Sequence, residues 1–344
     1  MPKTYQSTHP GFSIAVMLGA PRSGTTWLQR LMAAHDSVAS GQETDLLDDY
    51  VGPWDDKWRR QLPQDPVEWK NRRHKGLPAI LTASEFDDLL RSTILAVYAK
   101  IAALKPGAHV VLDKNPDYAR RTAMIARLLP EARIIHVVRD GRDVAVSLVS
   151  AGRGWGRDWA PRHVDQAAKR WRGDVLAVQG ARLGSDRCLE VRYEDLLTSG
   201  PEVLLRCLTF CGVAADLADC REIHHSFQLQ RLQGTQEGDV GQLRQDPLVW
   251  SGEVVRRLGG PPSEPAGFFG KGESGGWRSS WAAPDRWAFA EVAGDLLISL
   301  GYEPDESWLN VSTRLRLLLQ SQEAARNRLQ RVRRGARSLA RRGT

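Results

Sequence analysis

Apolar positions along this chain follow two periods. Ile14-Ala15-Val16-Met17-Leu18 is an unbroken apolar run, and Trp27, Leu28, Leu31 and Met32 then recur at helical spacing. The pattern predicts a buried strand, a tight loop and a helix. Residues 33–47 leave that helix and reach a polar Gly-Gln-Glu-Thr turn at 41–44. Residues 48–78 carry Pro53, Pro63, Pro66 and Pro78 with Trp54, Trp58 and Trp69, and read as an irregular insertion. Thr82 and Glu85 suit a capping box, after which Phe86, Leu90, Ile94, Val97, Ile101 and Leu104 mark one face of a long helix. Residues 109–113 and 134–138 are further buried strands with a helix near 118–129 between them, and 187–193 is another strand. Residues 152–173 form a second Trp-rich insertion, and helices near 200–211 and 284–300 close the fold. Residues 234–276 read as a long cover over the site. Strand, helix and strand in alternation predict parallel βαβ units with a site at the strand C-termini.

The loop between the first strand and helix holds the first chemistry. Gly19 and Gly24 have the spacing of a phosphate-binding P-loop, and Ser23, Thr25 and Thr26 add hydroxyls. A P-loop proper places Lys and Ser/Thr after its second glycine; here Thr25 and Thr26 follow, and the cation is Arg22. Such a loop suits a phosphate but is poorly built for a γ-phosphate with Mg²⁺. The expected fold class is therefore α/β: a P-loop-like three-layer fold with a central mostly parallel sheet and helices on both faces. The expected domain spans 12–305.

Composition refines this picture in three places. No apolar run reaches the ~18 residues of a spanning helix, and the first ten residues lack a signal-peptide core. Cys188, Cys207, Cys211 and Cys220 have no ligand-like His nearby, so free buried thiols are expected rather than zinc, in a reducing cytoplasmic setting. Of the net +7, residues 311–344 hold ten Arg against one Glu, which leaves the first 310 residues at a net −2. A near-neutral body argues against nucleic acid as a partner. The tail repeats Leu315, Leu318, Ala325, Leu329, Val332, Ala336 and Leu339 at 3–4 spacing, which predicts a basic amphipathic helix suited to peripheral membrane contact.

Several separated segments then converge. PRSGTTW at 21–27, VVRDGRDVAVSL at 137–148, VRYEDL at 191–196, HSF at 225–227 and GKGESGGW at 270–277 occur in that order. Together they resemble the sulfotransferases that use 3′-phosphoadenosine 5′-phosphosulfate (PAPS). The resemblance implies that Pro21, Arg22, Ser23, Gly24, Thr25, Thr26 and Trp27 hold the 5′-phosphosulfate, and that Arg139 and Ser147 hold the 3′-phosphate. It places Trp27, Tyr193 and Phe227 around the adenine, with Lys271 and Gly272 completing the pocket. It implies charge neutralisation by Arg22 and Lys114 and needs no metal. The cytosolic branch has a His base two residues after the counterpart of Lys114, where this chain has Pro116. Glu43, 21 residues after Arg22, is similar instead to the base of the protein-tyrosine sulfotransferase branch. The acceptor implied is a hydroxyl or amine on a glycan, lipid, small molecule or peptide tyrosine, walled by the Trp-rich segments 54–69 and 155–171. Two other readings stand beside this one. A P-loop kinase would carry Lys at position 25, and a nonenzymatic module would bind through the basic tail.

Overall fold

The structure is a computed structural model that describes residues 11–62, 76–227, 247–258, 268 and 272–309. Lys271, the tail 311–344, most of the expected cover and part of the first insertion lie outside the described residues. The strands are β1 (Ser13–Gly19), β2 (Val38–Ala39), β3 (Val110–Lys114), β4 (Arg133–Val138) and β5 (Cys188–Arg192). They form one parallel sheet in the order β2-β3-β1-β4-β5. Parallel strands covered on both faces are apolar throughout, which is why β1 reads as an unbroken run.

Alternation along β1 splits its contacts between the two faces. Ala15 and Met17 pack toward α1 (Thr25–Ala33) and two later helices, Gly200–Phe210 and Leu217–Ser226. Cys207, Cys211 and Cys220 are free thiols buried in this layer. Ile14, Val16 and Leu18 pack toward the long helix Ala83–Ala103 and the Tyr118–Leu128 region. A third cluster joins the helices Gly141–Arg153, Val164–Gly180 and Ala283–Ser299 around Trp171 and Phe289.

Four local expectations change. Residues 46–61 are helical, not irregular: a π-helical turn, Leu46–Val51, runs into Gly52–Gln61. Pro53 sits in that helix's first turn, where its missing N–H removes no intrahelical bond. Trp58 is buried there and stacks on Phe86 at 4.3 Å, which fixes the insertion to the core. In the long helix, capped as expected by Thr82 and Glu85, Tyr98 replaces Val97 in the buried stripe, and Leu104 is exposed. The helix expected near 118–129 begins as a 3₁₀ turn, Pro116–Arg121, capped by the Asn115 side chain. The two-residue edge strand β2 is too short to leave a periodic signal.

Two buried groups on the strands that flank β1 make opposite demands on pH. Burial pushes the Asp113 carboxyl up from 3.8 to about 6, against hydrogen bonds from Tyr98 and Thr44 and the charge of Lys114. Burial pushes the His136 imidazole down from 6.5 to about 4. Asp113, raised on folding, contributes stability that is full below its unfolded value and lost as pH rises through 6. His136, lowered on folding, contributes stability that is full above 6.5 and lost as pH falls through 4. The two slopes oppose each other in the same window. Asp113→Asn should therefore tilt stability upward with pH relative to wild type, by about 2–3 kcal/mol between pH 4 and 6. Urea midpoints at pH 4, 5 and 6 for both proteins check this; parallel profiles would refute it.

Candidate active site

The site forms where β1, β3 and β4 end, beside the N-terminus of α1. Gly24 is left-handed at φ 94° and gives α1 no side-chain cap. The first N–H groups of the helix are thus without intrahelical partners where Gly24, Thr25, Thr26 and Trp27 line a cavity of about 780 Å³. A Cβ on Gly24 would lie 2.3 Å from the Tyr193 ring. Arg22 also holds a left-handed backbone, φ 74°, a conformation few non-glycine residues take without a purpose. Its Nε donates to the Ser147 hydroxyl at 3.0 Å, and its guanidinium donates to the Phe268 carbonyl. Ser23 is wholly buried and its Oγ has no hydrogen-bond partner among the described residues.

A second set of side chains continues the β2–β3 ladder beyond its backbone bonds. Ser40 Oγ donates to the Leu112 carbonyl at 2.7 Å, and Gln29 of α1 donates to Ser40 Oγ and the Gly41 carbonyl. Three successive pairs follow. Thr44 Oγ1 lies 3.2 Å from Asp113 Oδ1, Lys114 Nζ lies 2.5 Å from Glu43 Oε1, and Asn115 Nδ2 donates to Asp45 Oδ1 at 2.6 Å. Lys114 also donates to Thr26 Oγ1 at 3.0 Å, so one ammonium joins the anion loop to the Glu43 carboxylate. The Lys114 side chain is 1% exposed while that of Glu43 is 42% exposed. The cation is thus shielded and the carboxylate is open to the cavity that Glu43 lines. Asp45 is left-handed at φ 53°. Burial and the charges of Glu43 and Asp49 hold its carboxyl above the usual range.

The third side comes from β4, β5 and the segment 272–277. Arg139, 9% exposed, donates to the carbonyls of Arg22 and Glu273 at 3.1 and 2.9 Å, and lies over the Tyr193 ring at 4.3 Å. Its Nε has no partner among the described residues. Tyr193 OH donates to the Gly272 carbonyl at 2.8 Å. Asp143 accepts from the backbone N–H of Gly275 and Trp277 at 2.6 and 3.0 Å. Its carboxyl is pushed up by burial, against those two bonds.

Most of the residues expected at a site therefore meet in one cavity. Pro21, Arg22, Gly24, Thr25, Thr26, Trp27, Glu43, Arg139, Ser147, Tyr193 and Gly272 line it, and Lys114 touches it through Glu43 and Thr26. Phe227 does not line it; the ring is core, and its carbonyl accepts from the Trp27 indole at 2.9 Å. His136, 2% exposed and inside the sheet, is not in the lining either. Of the tryptophans expected to wall an acceptor cleft, Trp155 and Trp159 line this cavity, whereas Trp58 and Trp171 are core. Sequence reasoning held Asp45 only as a fallback base and missed Asn115, Asp117 and Asp143 in this lining. The spacing of Asp140 and Asp143 at a helix start was a readable capping signal, and Asp140 does cap that helix. Asp45 carried none, since its place depends on Asn115.

Comparison with known proteins gives the family. The family model described as "Sulfotransferase family" matches residues 15–217. Protein-tyrosine sulfotransferase A of Caenorhabditis elegans is 23% identical over 291 residues, 78% of this chain and 71% of that protein. The protein-tyrosine sulfotransferase of Drosophila melanogaster is 26% identical over 222 residues. That match covers 63% of this chain and 40% of the fly protein, so the chain spans less than half of that relative. A crystal structure of a mouse sulfotransferase complexed with PAP has TM-score 0.49 at 14% identity, over 84% of this chain and 88% of that one.

The loop geometry yields a direct test. Gly24→Ala forces a Cβ into the Tyr193 ring and a left-handed backbone onto alanine. Binding of 3′-phosphoadenosine 5′-phosphate, measured by calorimetry, should weaken at least tenfold. The double variant Gly24→Ala/Tyr193→Ala relieves the clash but not the backbone strain. If the single variant binds like wild type, the loop does not cradle the nucleotide.

Proposed function

The chain belongs to the sulfotransferase family, and on that premise we propose that it moves the sulfuryl group of PAPS to a hydroxyl-bearing acceptor and releases 3′-phosphoadenosine 5′-phosphate. The observation that carries this reading is the Lys114 ammonium held between the Thr26 hydroxyl of the anion loop and the Glu43 carboxylate. It couples a donor-side cation to an acceptor-side base across one buried atom. The residues present fit the donor. Ser23 Oγ and Arg139 Nε are buried polar atoms without partners, and such atoms are expected to be completed by a ligand. Arg139 offers a planar fork suited to a phosphate.

PAPS brings an already activated sulfuryl group, so what remains for the protein is positioning and charge. In this reading Glu43 accepts the acceptor's hydroxyl proton as the new S–O bond forms. The S–O bond to the 5′-phosphate breaks, and Lys114 and Arg22 balance the negative charge left on the phosphate oxygens. The α1 N-terminus holds the same oxygens through backbone N–H groups. Arg139 and Ser147 act on donor binding. The names of the relatives support a phenolic hydroxyl such as that of tyrosine as the acceptor. A kinase reading has no loop lysine to rest on, since Thr25 stands at that position.

Removing the base while keeping its shape separates chemistry from binding. Glu43→Gln should lower turnover by roughly 10²–10⁴ with little change in affinity for 3′-phosphoadenosine 5′-phosphate. Arg139→Ala should do the reverse, weakening nucleotide binding first. Transfer of radiolabelled sulfate from PAPS to a panel of phenols, alcohols and amines, with calorimetry of the nucleotide, measures both. Wild-type turnover in Glu43→Gln would move the base elsewhere, to Asp45 first.

A further inference from the structure

The acceptor half of the cavity has a definite charge and a definite surface. One wall is aromatic. Trp155 and Trp159 lie 5.5 Å apart at 54°, and Phe268 lies 5.3 Å from Trp155. The wall begins at the loop cation, since the Arg22 guanidinium is 5.5 Å from the Trp155 ring and 4.8 Å from that of Phe268. Trp159 keeps 46% of its surface exposed, a large apolar area left open inside a reaction cavity.

The other lip is acidic. Glu43, Asp45 and Asp117 all line the cavity. Among the described residues their cations are accounted for: Lys114 pairs with Glu43 and Arg170 with Asp117, while neighbouring Asp48 takes Arg121. Asp45 is different. It is exposed, and its side chain is met by the neutral amide of Asn115. The charges of Glu43, Asp49 and Asp48 lie around it, so a further anion nearby would be repelled and a cation welcomed.

We propose that the acceptor is a phenol bearing a positive charge close to the ring, stacked on Trp155 and Trp159 with its cation toward Asp45, and that anionic phenols are rejected. The proposal rests on the sulfotransferase reading above and adds the acceptor's charge to it. The ring is favoured by stacking on the indoles and the cation by Coulomb attraction to the carboxylate. A carboxylate in the same place meets like charge, the kind of repulsion by which a site excludes wrong partners.

Three phenols of nearly equal shape test this: tyramine, 4-ethylphenol and 4-hydroxyphenylacetate, which carry an ammonium, a neutral group and a carboxylate at the same end. With PAPS as donor, kcat/KM should fall in that order, by at least tenfold from first to last. Asp45→Asn should shrink the ratio of the two ends several-fold, and Asp45→Lys should invert it. Equal rates for tyramine and 4-hydroxyphenylacetate, or an Asp45→Asn ratio equal to wild type, would overturn the proposal. Binding of the three phenols to the enzyme with 3′-phosphoadenosine 5′-phosphate, read by ligand-observed NMR, supplies a measure independent of turnover. The same order in binding supports the charge assignment even where no phenol is sulfated, and a lack of preference for tyramine refutes it. Failure of the sulfotransferase reading would show separately, as absence of sulfuryl transfer from PAPS to any compound in the wider panel.

Discussion

A lysine that is 1% exposed must find partners inside the protein or give up its charge. Lys114 finds two, and they belong to different parts of the chain: Thr26 opens α1, and Glu43 lies in the turn after β2. Holding one ammonium between them sets the anion loop and the 41–45 turn at a fixed separation. The next residue back does the same work on the opposite side. Successive strand residues point to opposite faces, so Asp113 turns away from α1 toward Tyr98 of the long helix, which donates to it at 2.9 Å. The Thr44 hydroxyl reaches the same carboxylate and also lies 3.1 Å from Tyr118 OH. The end of β3 therefore grips the Glu43 turn from both faces of the sheet at once.

Topology explains why that grip falls where chemistry can use it. β1 lies between β3 and β4, and the chain crosses from one side of it to the other. At such a reversal the loops leaving adjacent strands diverge and open a crevice at their C-terminal ends. Arg22, Lys114 and Arg139 all stand at those ends, on three neighbouring strands. The two left-handed non-glycine residues that line the cavity, Arg22 and Asp45, sit on its loop side and on its turn side. Each departure from easy backbone geometry aims a charged side chain, and neighbouring contacts hold it: Ser147 for Arg22 and Asn115 for Asp45.

What could be read in the sequence was what is local in it. The loop from Gly19 to Thr26, the fully apolar strands and the Thr82–Glu85 cap each concentrate their signal in a few consecutive residues. Glu43 could be singled out as the proposed base because Pro116 stands where the cytosolic branch has a histidine. The helix over 52–61 was hidden by prolines and acidic residues that propensity counts against it, and its stability comes from Trp58 stacking on Phe86, a contact 28 residues away. Phe227 fitted a motif, yet its ring faces the core because the Trp27 indole needs a carbonyl there. The acidic lip was not legible at all. Asp45 and Asp117 look like ordinary surface carboxylates until Asn115 brings them together, accepting from the Asp117 N–H at 2.9 Å while donating to Asp45.

The pairing of residues 43–45 with 113–115 has a consequence for how such a site holds a base. Backbone hydrogen bonds between β2 and β3 stop after two residues, at Ala39 and Val111. From Ser40 onward the two segments leave that register and stay joined through side chains: Ser40 to the Leu112 carbonyl, Glu43 to Lys114, Thr44 to Asp113 and Asp45 to Asn115. A base on a free loop would lose conformational entropy each time it met its substrate. Here that entropy is spent on folding, because Thr44 and Asp45 are anchored on either side of Glu43's own bond to Lys114. The carboxylate itself remains 42% exposed and able to meet a proton, while the atoms that carry it are held as firmly as a strand. Pro116 fits this arrangement: it starts the 3₁₀ turn that follows and leaves the acid–base place on this strand end to the turn opposite.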